Sequence, residues 1–372
     1  MAERSDIYHD ARVLKEADTL SQAGYMVTVL GLRGIRENKD GDFPFKVKTY
    51  YALPREYGLF RKLHLLFLIL YINLLVLLKK ADVYHSHNTF FLPSMWFANK
   101  LFGGKLIYDA HEVQWESSAA AAFLEKVFIR KVDQIINVSV GRAEAQAKRF
   151  NVDLSNITII SNYPVISTQK ISFNKRNTNQ IRFVFSGGFD LNTNKLDNFI
   201  KVLPRFPEIT FDLMAFGYGA NKEKLENLIT SLSLEDRVRF IPLVSPDKVI
   251  STISQYDFSI NLLINPNDHL YLNHHGINKI YEYLGAGLPI FCSNLPSFES
   301  ELVGNGVGIS ADPTSFESIK ESLAQLLEKG PRQITTMKEK AIELSRSHFN
   351  WDTQASKLTE LYGRLTAIQI RK

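Results

Sequence analysis

The sequence predicts two α/β domains, each a parallel sheet wound by helices. Three observations point there. Short apolar runs alternate with segments of helical period through both halves of the chain, the pattern of consecutive β–α units. A polar stretch without periodicity, residues 167–180 (STQKISFNKRNTNQ), separates the halves as a linker would. The length, 372 residues, is enough for two sizeable cores. We place the domains at 1–166 and 181–340, followed by a terminal helical stretch at 341–372.

Composition narrows the partners. A net charge of +5 and a pI near 9.0 favour anionic ligands, either phosphates or acidic lipids. No segment reads as a nucleic-acid module, so nucleic acid is not an expected partner. The single cysteine, Cys292, excludes an intrachain disulfide and suits a reducing compartment. MAERSDIYHD is too polar for a signal peptide. We expect a cytoplasmic protein.

In the first half, residues 10–22 (DARVLKEADTLSQ) form an amphipathic helix, and Gly24 leads into the strand YMVTVLGL. Asp40-Gly41-Asp42 sits in a turn-rich stretch, where Asp-Gly is ordinary turn chemistry rather than a metal–diphosphate pair. Residues 63–78 (LHLLFLILYINLLVLL) are the most apolar of the chain and are flanked by Arg61, Lys62, Lys79 and Lys80. This run falls short of the roughly twenty residues that span a bilayer. Two readings remain: a core helix, or a helix presenting an apolar face and basic ends to anionic lipid.

ADVYHSHN and LIYDAHE are strands ending in polar tips. His85 and His87, two apart, project to one side of an extended chain. With His111 and Glu112 they offer imidazole and carboxylate to zinc, as in a metallohydrolase. No His-x-x-x-His helix or further acid cluster completes the set, and we assign no metal. KVFIRKVD closes a helix, QIINVSV is the next strand, residues 139–150 the next helix, and ITIISNYPV the last strand of this half.

The second half opens on IRFVFSGG, a strand whose Gly187-Gly188 turn lets backbone amides approach phosphate; a helix follows from about Lys195. Residues 211–219 (FDLMAFGYG) are a strand with a Gly-x-Gly turn, then come a helix, the strand VRFIPLV and a helix over 247–255. Residues 258–264 form a buried strand, broken by Pro266, Asn267 and Asp268. A helix from near Ile277 carries Ile280, Tyr281 and Leu284 at helical spacing, with Glu282 its one acid; Gly285 and Gly287 end it before the strand PIFC. Helices near 298–303 and over 315–328 and the terminal helices complete the chain. In an open α/β sheet, ligands sit outside the carboxyl ends of the strands, so the loop 265–276 marks the expected binding edge.

NKIYEYLGAGLPI resembles the donor-binding segment of the retaining glycosyltransferases of family four, whose fold is GT-B: two Rossmann-like domains facing across a cleft. The strand ends ADVYHSHN and YDAHE resemble the same family, as do the terminal helices through FNWDTQASKLTELYGRL, which implies that 341–372 crosses back onto the first domain; the likeness runs over nearly the whole chain from Ile7. It implies transfer of a sugar from a nucleotide diphosphate sugar to a glycan or lipid-linked acceptor, with no cofactor and no metal. It implies His111 and Lys195 as catalytic residues, His111 beside the donor sugar and Lys195 on the diphosphate. Gly187, Gly188, Gly217, His274, Ile277, Asn278, Lys279 and Glu282 would surround the donor. Glu282 matches the glutamate that holds both ribose hydroxyls, each such charge-assisted bond worth about 1.5–3 kcal/mol.

Three departures stand out. His274 replaces the first glutamate of the donor pair. Phe189 replaces the arginine that pairs with the lysine on the diphosphate. The family also opens with a short apolar strand, for which we find no residues before His9, so we expect the first domain to lack that strand through a truncated start. Losing a central strand leaves its neighbours' ladder groups unpaired. A catalytically silent relative that only binds nucleotide sugar, or an epimerase of the same architecture, are the competing readings.

Overall fold

The computed structural model describes residues 1–34, 43–166, 180–217, 219–245, 248–264 and 278–370. The first half runs β1 (Ala2–Asp6), α1 (Ala11–Gln22), β2 (Thr28–Arg33), β3 (Lys46–Tyr51), α2 (Gly58–Leu77) and β4 (Val83–Ser86). It continues α3 (Leu92–Phe102), β5 (Lys105–Asp109), α4 (Gln114–Ser117), α5 (Ala119–Phe128), β6 (Gln134–Asn137), α6 (Val140–Phe150) and β7 (Ile157–Ile159). These strands pair in parallel in the order β3-β2-β1-β4-β5-β6-β7.

The opening strand is therefore present, contrary to expectation. β1 is AERSD, with no apolar run to announce it, yet it lies at the centre of the sheet. Ala2 is in register with Leu30 on one side and Ser86 on the other. The amides of Leu30 and His87 donate to the carbonyls of Met1 and Ala2 at 2.9 and 3.0 Å. What holds the strand is backbone pairing on both edges, a demand of the neighbouring ladders rather than of β1's own side chains. Glu3 is buried but partly satisfied locally, its carboxylate accepting from the Arg4 and Ser5 amides at 2.6 and 2.9 Å.

α1 starts where its cap dictates. The Asp10 side chain accepts from the Val13 amide at 3.2 Å and from the Ser5 hydroxyl at 2.6 Å. Its buried residues Val13 and Ala17 pack with Ile7, Val29 and Phe45. On another cluster, Leu68, Ile72 and Val76 of α2 join Leu30, Leu32, Tyr84, Phe91 and Met95.

The second half runs β8 (Ile181–Phe189), α7 (Leu196–Val202), β9 (Ile209–Gly217), α8 (Asn221–Ser231), β10 (Val238–Phe240), α9 (Val249–Ile253) and β11 (Phe258–Asn261). After these come α10 (Asn278–Gly285), β12 (Ile290–Ser293), α11 (Pro296–Phe298), β13 (Gly308–Ala311), α12 (Phe316–Glu328), α13 (Pro331–Ser347) and α14 (Trp351–Ile370). The sheet order is β10-β9-β8-β11-β12-β13, all parallel. Phenylalanines 183, 185, 189, 199, 211, 258 and 291 dominate one of its cores. Cys292 is buried in β12.

Met1–Asn162 with Asp352–Lys372 form one compact unit, and Tyr163–Trp351 the other. The returning segment thus starts at 352 rather than 341. Residues 341–351 stay in the second unit, where Ala341 and Ser345 are buried. The linker 167–179, the Asp40-Gly41-Asp42 turn and the loop 265–277 fall outside the described residues, and with them His274 and Ile277.

Candidate functional site

In the second unit the site residues gather where β8 ends and α10 begins. β8 is long enough to carry its carboxyl end to Gly187 and Gly188, and its Ser186 amide donates to the Tyr283 hydroxyl of α10 at 2.9 Å. That bond, with fully buried Tyr283 and Leu284, fixes the helix against the strand end. Gly187 has φ of +98° and open space where a side chain would stand. Glycine alone takes that backbone without strain; Gly187 lies within β8, in register with Ala215 of β9, rather than in a turn beyond the strand.

Lys279, in the first turn of α10, lies over this strand end. Its Nζ is 3.4 Å from the Gly188 carbonyl and 4.0 Å from the Phe185 ring centroid. Burial pushes its pKa down to about 8, and only the Glu282 carboxylate opposes that shift. Glu282, three residues on, is half-buried, whereas Asn278 is exposed. A cation at the strand end and a carboxylate therefore stand about one turn apart on the same helix.

Lys195 caps α7. Its amide donates to the Leu262 carbonyl at 2.8 Å and its Nζ to the Leu191 carbonyl at 3.0 Å. The preceding turn is tied by Asp190, whose carboxylate accepts from Asn192 at 2.9 Å and from Asn221 at 3.3 Å. Gly217 is glycine for a steric reason: an added Cβ would lie 2.5 Å from the Lys222 amide nitrogen and 3.0 Å from the Phe189 ring. Phe189 itself is fully buried, packed on Phe185 and Phe240. Residues 185 and 189 share a strand face, so position 189 looks into the core.

The first unit brings together a second polar group. Arg12 on α1 grips Asp109 at the end of β5 through two bonds of 2.7 and 3.0 Å, and also donates to the Ile160 carbonyl at 2.9 Å. Glu16 is 3.0 Å from the same guanidinium. His87 Nδ1 and His111 Nδ1 lie 3.0 and 3.5 Å from Asp109 Oδ2, while His85 Nδ1 meets the Tyr362 hydroxyl of α14 at 2.7 Å. Burial works against a protonated His111, but the Asp109 carboxylate overrides it and lifts the pKa to about 9. Burial, then the charge of Asp109, pushes the Glu16 carboxyl up. Burial raises Asp109's pKa in turn, but Arg12 and His111 outweigh it and hold the group well below the carboxylate range.

His85, His87, His111 and Glu112, weighed from sequence as a metal set and not assigned, do not form one group. Glu112 is exposed and takes no part. Instead Glu16, His85, His87 and Asp109, all buried, bring one ligand atom each within 4.8 Å of one another. Arg12 already occupies both carboxylates, which accounts for the cluster as an ion-pair network. Arg12 and Glu16 escaped the sequence reading because a four-residue spacing of opposite charges is ordinary on helix surfaces; here that face of the helix is inside.

Residues 167–344 match the family model described as Glycosyl transferases group 1, and residues 11–163 that described as Glycosyltransferase Family 4. No curated protein matches the chain closely enough in sequence to count as a relative. Among solved structures, sucrose-phosphate synthase from Thermosynechococcus elongatus superposes with a TM-score of 0.74 at 15% identity, covering 96% of this chain and 93% of that one. HepE of Anabaena, solved with UDP and glucose, gives 0.69 at 15% identity over 98% of each chain. The lipopolysaccharide outer core galactosyltransferase WaaB gives 0.65 at 15% identity, again over 98% of each. With a parallel Rossmann-like sheet in each half and a family match to each half, the chain belongs to the group 1, family-four glycosyltransferases of the GT-B fold.

Proposed function

We propose that the chain is a retaining, metal-independent hexosyltransferase acting on a nucleotide diphosphate sugar. Its acceptor is a glycan or lipid-linked sugar of a surface polysaccharide or glycolipid, met at the cytoplasmic face of a membrane. The observation that carries this reading is the end of β8, where the Lys279 ammonium of α10 stands 3.4 Å from the Gly188 carbonyl, with half-buried Glu282 three residues further along the same helix. Amides and a cation suit a diphosphate, and a carboxylate suits a vicinal diol.

In the reaction, the bond from the anomeric carbon to the diphosphate oxygen breaks, and a bond to the acceptor oxygen forms on the same face. The acceptor's proton passes to the leaving phosphate, so no strong protein base is needed. Lys279, Lys195 and the amides after Gly187 stabilise the charge that develops on that phosphate. Glu282 accepts from the two ribose hydroxyls. His111, protonated at neutral pH, donates to the transferred sugar and orients it. Donor chemistry of this kind is supported by HepE, which was solved with UDP and with UDP-glucose, and the acceptor class by WaaB, named for lipopolysaccharide.

The test is a thermal-shift panel of uridine, guanosine, adenosine, cytidine and thymidine diphosphate sugars on this chain and on Glu282→Ala. A ligand at a hundredfold excess over its dissociation constant stabilises the folded state by about 2.7 kcal/mol. We expect a shift confined to one base and lost in the variant; a flat panel from folded protein overturns the reading. Phe189 at the arginine position favours a second reading, a silent relative that binds donor without turnover. The intact β1 removes the missing strand as a reason for it, and anomer-resolved NMR of products separates transferase, epimerase and silent relative.

A further inference from the structure

We propose that α2 is a docking surface that lies flat on an anionic bilayer. Unlike an ordinary core helix, α2 buries one narrow line, Leu68, Ile72 and Val76, at a spacing of four. Leu65 and Ile69 pack partly beside that line, and the opposite face is apolar and uncovered: Leu59, Phe60, Leu63, Leu66, Phe67 and Leu70 are each between 55% and 75% exposed. Of its most apolar 18-residue window, 17% is buried. Single exposed apolar residues need no explanation, but a contiguous helical face of this size marks an interaction site. Packed beside it, α3 leaves Phe97 and Leu101 exposed at 55% and 70%.

Charge selects the occupant. Between Glu56 and Asp82 the chain has no acid and four cations, Arg61 and Lys62 in the first turns of α2 and Lys79 and Lys80 just beyond its end. Lys62, Lys79 and Lys80 are exposed. A second copy laid on this face would set cations against cations whichever way the two helices ran. Anionic headgroups meet both ends at once while the leucines and phenylalanines enter the acyl boundary.

At 20 residues the helix has the length of a bilayer span, so length does not decide between crossing and lying flat, as it does on the shorter run read from sequence. Packing decides. The stripe of Leu68, Ile72 and Val76 is shared with Phe91, Met95 and Ala98, and a spanning helix would abandon it.

This deepens the proposed transfer by naming where a membrane-held acceptor is met, but it rests on the first unit alone. A chain that binds vesicles and no nucleotide sugar would keep this inference and sink the other. The experiment is co-sedimentation of the full chain with vesicles of phosphatidylcholine, or of phosphatidylcholine with phosphatidylglycerol, at low and high salt. The variants are Lys79→Gln with Lys80→Gln, and Phe60→Ser with Phe67→Ser, all at exposed positions and checked for folding by circular dichroism. We expect binding to the anionic vesicles alone and weakening with salt. Removing the two lysines should lower it on the order of thirtyfold, and the serine pair should lower it at both salt concentrations. Equal binding to both vesicles, or none, overturns the proposal. So does a concentration-dependent dimer abolished by the serine pair, because a second copy would then cover the face.

Discussion

Phe189 stands where the family resemblance leads us to expect an arginine for the diphosphate, and its ring lies wholly in the core of the second unit. An arginine there would have to displace packing against Phe185 and Phe240. The structure supplies a cation from the other side: Lys279 reaches the same strand end from α10. The family resemblance already sets Lys279 beside the donor; what it does not give is that Lys279 comes to the end of the strand that carries Phe189, because that proximity joins a strand to a helix some ninety residues on. If Lys279 meets the diphosphate, Lys279→Gln should weaken UDP binding by about tenfold to a hundredfold, the value of one charge-assisted bond. Uridine, which lacks phosphates, should bind both proteins equally. The lowered pKa adds a pH signature. The ammonium is present below about pH 8 and is lost above it, so the affinity of the wild type for UDP should fall as pH rises through 8. In the glutamine variant it should stay level there. Calorimetric titrations at two pH values check both; equal pH dependence in the two proteins removes Lys279 from the phosphates.

At the scale of elements, the strands and helices that bury apolar faces were legible and those held by polar groups were not. α12 starts at its serine cap, as its sequence indicates, whereas β1 is invisible because its place is set by ladder pairing. α2 shows the opposite failure: its apolar sequence reads as core, yet burial claims only one stripe. The seam between α5, α6, β5 and β6 is equally hidden. There Asn137 donates to Gln146 at 3.1 Å, and Glu125 Oε1 accepts from Gln146 at 2.7 Å and from Tyr108 at 3.2 Å. Burial pushes the Glu125 carboxyl up to about 7, the two hydrogen bonds opposing. A folded pKa above the unfolded one stabilises fully below about pH 4.5 and loses that contribution as pH rises through 7. Glu125→Gln, neutral at every pH, should therefore match the wild type near pH 5 and exceed it by about 2 kcal/mol at pH 8.5. Denaturant melts at the two pH values check this; a constant difference would mean that Glu125 titrates normally.

For the whole molecule, the two-domain plan follows from alternating patterns and one polar linker, and the likeness of the terminal helices to the family's tail announces a return to the first unit without fixing the residue at which it begins. The return is decided by what α14 buries. Leu358, Leu361, Tyr362 and Leu365 are all under 10% exposed, Gln354 accepts from the Ser161 amide at 3.0 Å, and Tyr362 holds His85. At about 1.5–3 kcal/mol for each buried apolar side chain, these four contribute an amount comparable with the roughly 5–15 kcal/mol that keeps a domain folded. The first unit should therefore fail without the last helix, although its whole sheet lies within the first 162 residues. Removing residues 352–370 should abolish hydrogen-exchange protection of β4, β5 and β6 and leave β8 to β13 protected, since among the described residues the second unit's two apolar clusters are built from residues 163–349. Tyr362→Phe is the milder form of the same test. It leaves the buried His85 Nδ1 without its hydroxyl partner and should cost about 1–3 kcal/mol, read as faster exchange in the first unit alone. If β4 to β6 stay protected in the shortened chain, α14 is an appendage, and the first unit is complete at Asn162.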